Sequence, residues 1–103
     1  MKNTIRLLQK KELKVSQNKF PLWALNTKQT HFSRTFLFKD HLDALVFIAR
    51  ITVHAQICNH HPDISFTYKK VKVSVCTDTV KGITKKDIEL MERIETLKTV
   101  DKQ

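Results

Sequence analysis

Apolar residues recur along this chain with two different periods. Ile5, Leu7, Leu8, Leu13 and Val15 are set among Lys, Arg and Gln. With Thr4 able to cap, they predict a helix over 4–15, followed by a polar loop over 16–19. Phe20 to Leu25 mixes aromatic and aliphatic residues and ends at Asn26-Thr27-Lys28-Gln29, which suits a strand and then a turn. Phe32, Phe36 and Phe38 fall on even positions, with Arg34 among them. That period of two predicts a second strand with one buried face. The short connection makes the two an antiparallel hairpin.

The period changes at Asp40, a helix-capping residue with Asp43 three positions on. Acidic groups there complement the positive end of a helix. Leu42, Leu45, Val46, Ala49, Val53 and Ile57 then recur at spacings of three and four, the mark of a helical stripe. Phe47, Ile48 and Ile51 widen the apolar surface beyond one stripe. A helix apolar on more than one side needs more than one partner. One side is expected to cover the sheet, and the other to meet a second subunit. The helix should stop around 58–60, before Pro62.

Ile64, Phe66 and Tyr68 are even, whereas Val71, Val73 and Val75 are odd. A parity switch at Lys69-Lys70 demands a turn or a bulge. A tight turn gives a second hairpin, 64–68 with 71–77. Gly82, the single glycine, is expected to supply an unusual backbone angle in the next loop. Thr84 caps a last helix with Asp87 at the capping-box position, and Ile88, Met91, Ile94 and Leu97 form its apolar face. Residues 101–103 should fray. The order is helix-strand-strand-helix-strand-strand-helix. It predicts a single α+β domain over 1–103, a four-stranded antiparallel sheet with helices packed on one face.

Composition adds limits. The 103 residues suffice for one modest core. No run of about 18 apolar residues predicts a spanning helix, and no secretory signal is visible. The basic start shares its composition with transit peptides, but reads better as a helix. Cys58 and Cys76 are expected to be free thiols in a reducing compartment. Net charge is +9, and residues 1–39 carry nine Lys or Arg against one acid, Glu12. A basic footprint can serve nucleic acid or an acidic partner. Here the lysines are scattered with few aromatics among them, so a solvated surface is the better reading and direct nucleic-acid binding is not expected.

The candidate chemistry is concentrated in Asn59-His60-His61-Pro62-Asp63-Ile64-Ser65-Phe66-Thr67-Tyr68, with Asp78, Gly82 and Asp87 beyond it. Histidine changes charge near neutral pH and suits proton transfer. A metal site using His54, Cys58 and the histidine pair is disfavoured. Adjacent histidines rarely share an ion, and no second Cys/His cluster has structural-zinc spacing.

This segment resembles the pterin-4a-carbinolamine dehydratases. Their pattern has a charged residue, three residues, then His-His-Pro. An aromatic follows, a third histidine comes later, and an aspartate lies further on. His60, His61, Pro62, Tyr68 and Asp87 match; Gln56 replaces the charged residue and Asp78 the third histidine. Trp23, Phe36-Leu37-Phe38-Lys39-Asp40 and Ile83-Thr84-Lys85-Lys86-Asp87-Ile88 are similar to family segments in the same order. The resemblance covers roughly 23–95.

The resemblance implies loss of water from 4a-hydroxytetrahydrobiopterin to give quinonoid dihydrobiopterin, with no metal or organic cofactor. His60 would transfer a proton and His61 would bind or orient the pterin. Asp87 would orient a histidine, although its spacing from Thr84 already explains it as a capping residue. Asp78, a carboxylate, accepts a proton more readily than it donates one at neutral pH, which implies reduced activity. Gln56, Asn59 and Ile64 are expected to join His61 around the pterin. A homodimer or homotetramer in the cytoplasm is expected. The alternative is a non-catalytic module that acts as a dimerisation cofactor of a transcription factor, with the nucleus as a second location.

Overall fold

The computed structural model describes residues 5–101. The elements are α1 (Lys10–Lys19), β1 (Ala24–Leu25), β2 (Phe32–Leu37), α2 (His41–Cys58), β3 (Asp63–Thr67), β4 (Lys70–Val75) and α3 (Lys85–Asp101). All strand pairs are antiparallel and their order is β1-β2-β4-β3. The α+β order is as expected from the sequence, and both predicted hairpins form.

The core is one seam between the sheet and the helices. Val71, Val73 and Val75 all turn inward on β4, and Phe32 and Phe36 do so on β2. Lys70, Lys72, Ser65 and Thr67 are exposed, so the other face of the sheet is polar. Phe47 of α2 meets the rings of Phe36 and Phe38 at centroid distances of 4.7 and 5.0 Å. Arg34, which breaks the apolar alternation of β2, pairs with Glu95 and lies over the Phe36 ring. Glu95 also accepts the indole N–H of Trp23 at 2.7 Å. A polar group thus reaches the core's edge fully partnered.

Both stripes of α2 exist, and packing separates them. Ala44, Phe47, Ile51 and Ala55 are buried against the core. Leu42, Leu45, Val46, Val53 and Ile57 remain 39–66% exposed. By length and composition alone α2 could cross a membrane, with a mean hydropathy of 1.2 over its 18 residues. This differs from the sequence expectation. Its buried seam, however, is committed to the sheet, as in the core helix of a folded domain.

Other expectations need correction. The first helix starts at Lys10 and runs through 16–19, so the predicted loop there is helix. Glu12 accepts the backbone N–H of Gln9 at 2.7 Å and pairs with Arg6 at 2.9 Å, which fixes the helix start. Ile5 to Leu8 instead run up to the helix as non-helical chain, and Leu8 donates its N–H to the Ile83 carbonyl. The predicted cap at Thr4 lies outside the described residues. The strand over 20–25 shrinks to Ala24–Leu25, because Phe20 and Trp23 bury their rings from a turn at Pro21, which has no N–H to give a ladder. Asp101, expected to fray, is still helical; 102–103 lie outside the described residues.

The second hairpin turns at Tyr68-Lys69, one residue earlier than expected. Tyr68 takes the left-handed conformation, φ 47°, a costly choice for a bulky residue. Two contacts from His41 offset it. His41 Nδ1 donates to the Tyr68 carbonyl at 2.8 Å, and its ring stacks on Tyr68 and Phe66.

Candidate active site

The histidine pair follows the end of α2. Asn59 adopts the left-handed conformation, φ 55° and ψ 43°, which ends the helix. The His60 N–H still reaches back to the Ala55 carbonyl at 3.0 Å. Pro62 then directs the chain into β3. The backbone of His60 is therefore held by the helix end, and its ring projects toward the start of α3.

There it meets Asp87. His60 Nε2 lies 2.6 Å from Asp87 Oδ1. The other oxygen, Oδ2, accepts the Thr84 backbone N–H at 2.9 Å and the Thr77 hydroxyl at 2.8 Å. Asp87 has no exposed surface. A carboxylate accepting on both oxygens requires His60 Nε2 to be the donor, which leaves Nδ1 on the other side of the ring. The remaining hydrogens are directed too. Thr77 has given its hydrogen to Asp87, so the Thr84 hydroxyl donates to Thr77 at 2.9 Å, and the Lys86 N–H donates to Thr84. Asp87 therefore caps α3 and fixes the His60 ring at once.

Two of these partners escaped the sequence reading. Thr77 continues the inward parity of Val71, Val73 and Val75, and that parity was the available signal. The Thr84 hydroxyl was legible only as a cap. Cys76 is the third omission. It is half-buried, and its Sγ lies 3.5 Å from Asp78 Oδ1. Burial pushes the thiol up to about 11, helped by the hydrogen bond and charge of Asp78 and then by the charges of Asp87 and Asp63. Three carboxylates therefore lie within electrostatic reach of one thiol, and Asp63 joins the cluster directly after His61-Pro62.

The remaining candidates are placed as follows. His61 and Asp78 are exposed. Gln56 and Asn59 are exposed at the end of α2, and Asn59 donates its N–H to the Gln56 carbonyl. Ile64 is half-buried and packs against the core. Cavities of about 510 Å³ between α1 and α3 and about 270 Å³ beside Trp23 lie away from the histidines. Among the described residues no group of three or more His, Cys, Asp or Glu is arranged to hold a metal ion. Both cysteines are free. His54 Nδ1 lies 3.1 Å from an Arg93 guanidinium nitrogen.

Gly82 corrects a further expectation. Its φ is not positive; Lys81 takes that role at 53°. Gly82 is instead the partner of Thr77 in an isolated bridge, with N···O distances of 2.7 and 3.3 Å. A Cβ on it would lie 2.6 Å from the Leu7 side chain. Glycine here admits the N-terminal segment over the loop that carries Thr77 and Asp78.

The family described as Pterin 4 alpha carbinolamine dehydratase matches residues 6–97. A protein of Sulfurisphaera tokodaii, provisionally named pterin-4-alpha-carbinolamine dehydratase, is 37% identical over 92% of this chain and all of its own. One of Nostoc punctiforme, named in the same way, is 31% identical over 90% of this chain and 98% of its own. The crystal structure of a transcriptional coactivator/pterin dehydratase from Brucella melitensis superposes with a TM-score of 0.85 at 25% identity, over 89% of this chain and 98% of its own. A pterin dehydratase-like protein identified as a RuBisCO assembly factor in the α-carboxysome shares the fold, with a TM-score of 0.62 at 17% identity over 73% of this chain and 87% of its own. With the match spanning nearly every described residue and enclosing the His60–Asp87 pair, the chain belongs to the pterin-4a-carbinolamine dehydratase family.

Proposed function

We propose that this protein dehydrates 4a-hydroxytetrahydropterins in the cytoplasm, as a step in tetrahydropterin recycling. One observation carries the reading: the His60 ring is fixed through Nε2 by a buried carboxylate, with Nδ1 left for chemistry. In the reaction the C4a–O bond breaks and the oxygen leaves as water, taking a proton from an acid. The N5–H bond gives its electron pair to a new C4a=N5 bond and its proton to a base. His60, protonated at Nδ1, is the acid. Asp78, through its carboxylate, is the base. His61, exposed beside His60, binds or orients the flat ring, with Asn59, Gln56 and Ile64 near it. The direct test is turnover of synthetic 4a-hydroxytetrahydropterin by the pure protein. A rate no higher than the uncatalysed one would refute the reading.

Asp78 stands where the family carries a third histidine. Histidine both takes and gives a proton near neutral pH, so Asp78→His should raise turnover. A positioned acid or base contributes about 10²–10⁴-fold; with His60 and His61 retained, the gain should be smaller, on the order of tenfold. The pH profile of kcat should gain an inflection near 6.5, the ordinary histidine value. An unchanged rate and profile in a folded variant would remove position 78 from the chemistry.

A second reading draws on the exposed stripe of α2. Five large apolar side chains on one helix face exceed what an isolated small domain ordinarily shows to water. Burial against a second copy, giving a dimer or tetramer, supports the enzyme. Burial against a helix of another protein makes the chain an interaction module. Light scattering at micromolar concentration should give at least twice the 12.1 kDa chain mass. A monomer alone would overturn self-assembly.

A further inference from the structure

We propose that Cys76 is a positioning residue for Asp78, its thiol holding the carboxylate that receives the pterin N5 proton. This rests on the dehydratase reading above and deepens it. Cys76 and Asp78 flank Thr77, and Thr77 turns inward to Asp87. Side chains two apart in extended chain share a side, and here the two meet at 3.5 Å, sulfur to Oδ1. A carboxylate can only accept, so the thiol is the donor.

The arrangement answers a specific difficulty. Asp78 is exposed and lies in the turn beyond β4. An exposed aspartate samples several rotamers, and each unproductive one dilutes its use as a base. Its backbone is already held, since its carbonyl accepts the Lys81 N–H at 3.2 Å and Thr77 pairs with Gly82. Cys76 adds the missing restraint on the side chain and engages one oxygen, leaving Oδ2 for the substrate. A donor in this role must keep its hydrogen at working pH. Burial secures that first, and the hydrogen bond and charge of Asp78, then the charges of Asp87 and Asp63, add to it by disfavouring the thiolate. The same feature makes Cys76 a poor nucleophile. Its part is to donate and orient.

Two measurements test this separately. The first needs no substrate. In a Cys58→Ser background, iodoacetamide alkylation of Cys76 should be slow at mildly alkaline pH. Adding Asp78→Asn should make it several-fold faster, without reaching a fully exposed thiol, because burial persists. An unchanged rate would show that the pair does not exist in solution. The second is kinetic. Cys76→Ala should lower kcat about fivefold, the factor expected for one lost hydrogen bond, with KM little changed. Cys76→Ser, which keeps a donor, should restore most of it. In the Asp78→Asn background, Cys76→Ala should have no further effect. Equal losses in the alanine and serine variants, or a full alanine effect without Asp78, would overturn the positioning role. No turnover in the unaltered chain would remove the dehydratase reading and the role together. The alkylation result would then still decide whether the thiol–carboxylate pair is real.

Discussion

Alanine at position 60 should lower kcat for a 4a-hydroxytetrahydropterin by about 10²–10⁴-fold, the usual contribution of a positioned proton donor or acceptor. That corresponds to about 3–5 kcal/mol of barrier. The ring is nearly enclosed and is anchored at 2.6 Å by Asp87, so no neighbour can take its place without rebuilding the end of α2. Truncation also strips a buried carboxylate of one partner, and some loss of stability is expected with the loss of rate. His60→Gln separates the two. A glutamine amide can donate to Asp87 but cannot shuttle protons, so it should recover stability and leave turnover low. His61→Ala should act differently. Its side chain is exposed and the backbone pins only its neighbour, so the effect should fall on KM more than on kcat. Steady-state kinetics of the three variants decide the matter. Equal, negligible effects at both positions would move the chemistry elsewhere.

Asp87→Ala should be the most damaging single change to the fold near the site, at about 3–5 kcal/mol by chemical denaturation. The removed carboxylate satisfies the Thr84 N–H, the Thr77 hydroxyl and His60 Nε2. Each would be left buried without its acceptor, and α3 would lose one half of its capping box. Asp87→Asn is the informative companion. Its amide oxygen can still cap the helix, but its NH₂ group then faces the Nε2–H of His60. The imidazole must then accept at Nε2, and the ring loses the carboxylate partner of its doubly protonated, proton-donating form. This variant should retain most of the stability and lose most of the turnover. Full activity in Asp87→Asn would reduce Asp87 to a helix cap.

Much of this was legible from local pattern. The spacing of Thr84 and Asp87 announced a capped helix, and Pro62 announced the end of α2 just before it. The missed features depend on contacts between distant segments. Leu7 and Leu8 look like a helical face, yet they pack on Gly82 and bond to Ile83, contacts that no local period encodes. The period of α2 could not say which of its two apolar stripes meets the sheet. Phe47 and Ile51 do so, between the small residues Ala44 and Ala55. At the site, the family pattern supplied His60 and Asp87, whereas the Cys76–Asp78 pair belongs to this chain's departure from that pattern. It came into view only once the thiol and the carboxylate were placed together.

The two histidines at the ends of α2 make that helix a ruler. His41, its first residue, grips the hairpin turn through the Tyr68 carbonyl; His60, just past its last, grips the start of α3. The helix, His41 included, has 18 residues, a length of about 27 Å at the α-helical rise of 1.5 Å per residue. Each added or deleted residue would shift one grip against the other by that rise and swing it through about 100°. The site's geometry is therefore written partly as a count of residues. Substitution along the exposed stripe leaves that count intact, whereas a single insertion there would bring His60 to the wrong side of the helix while every one of its local contacts remained available in sequence.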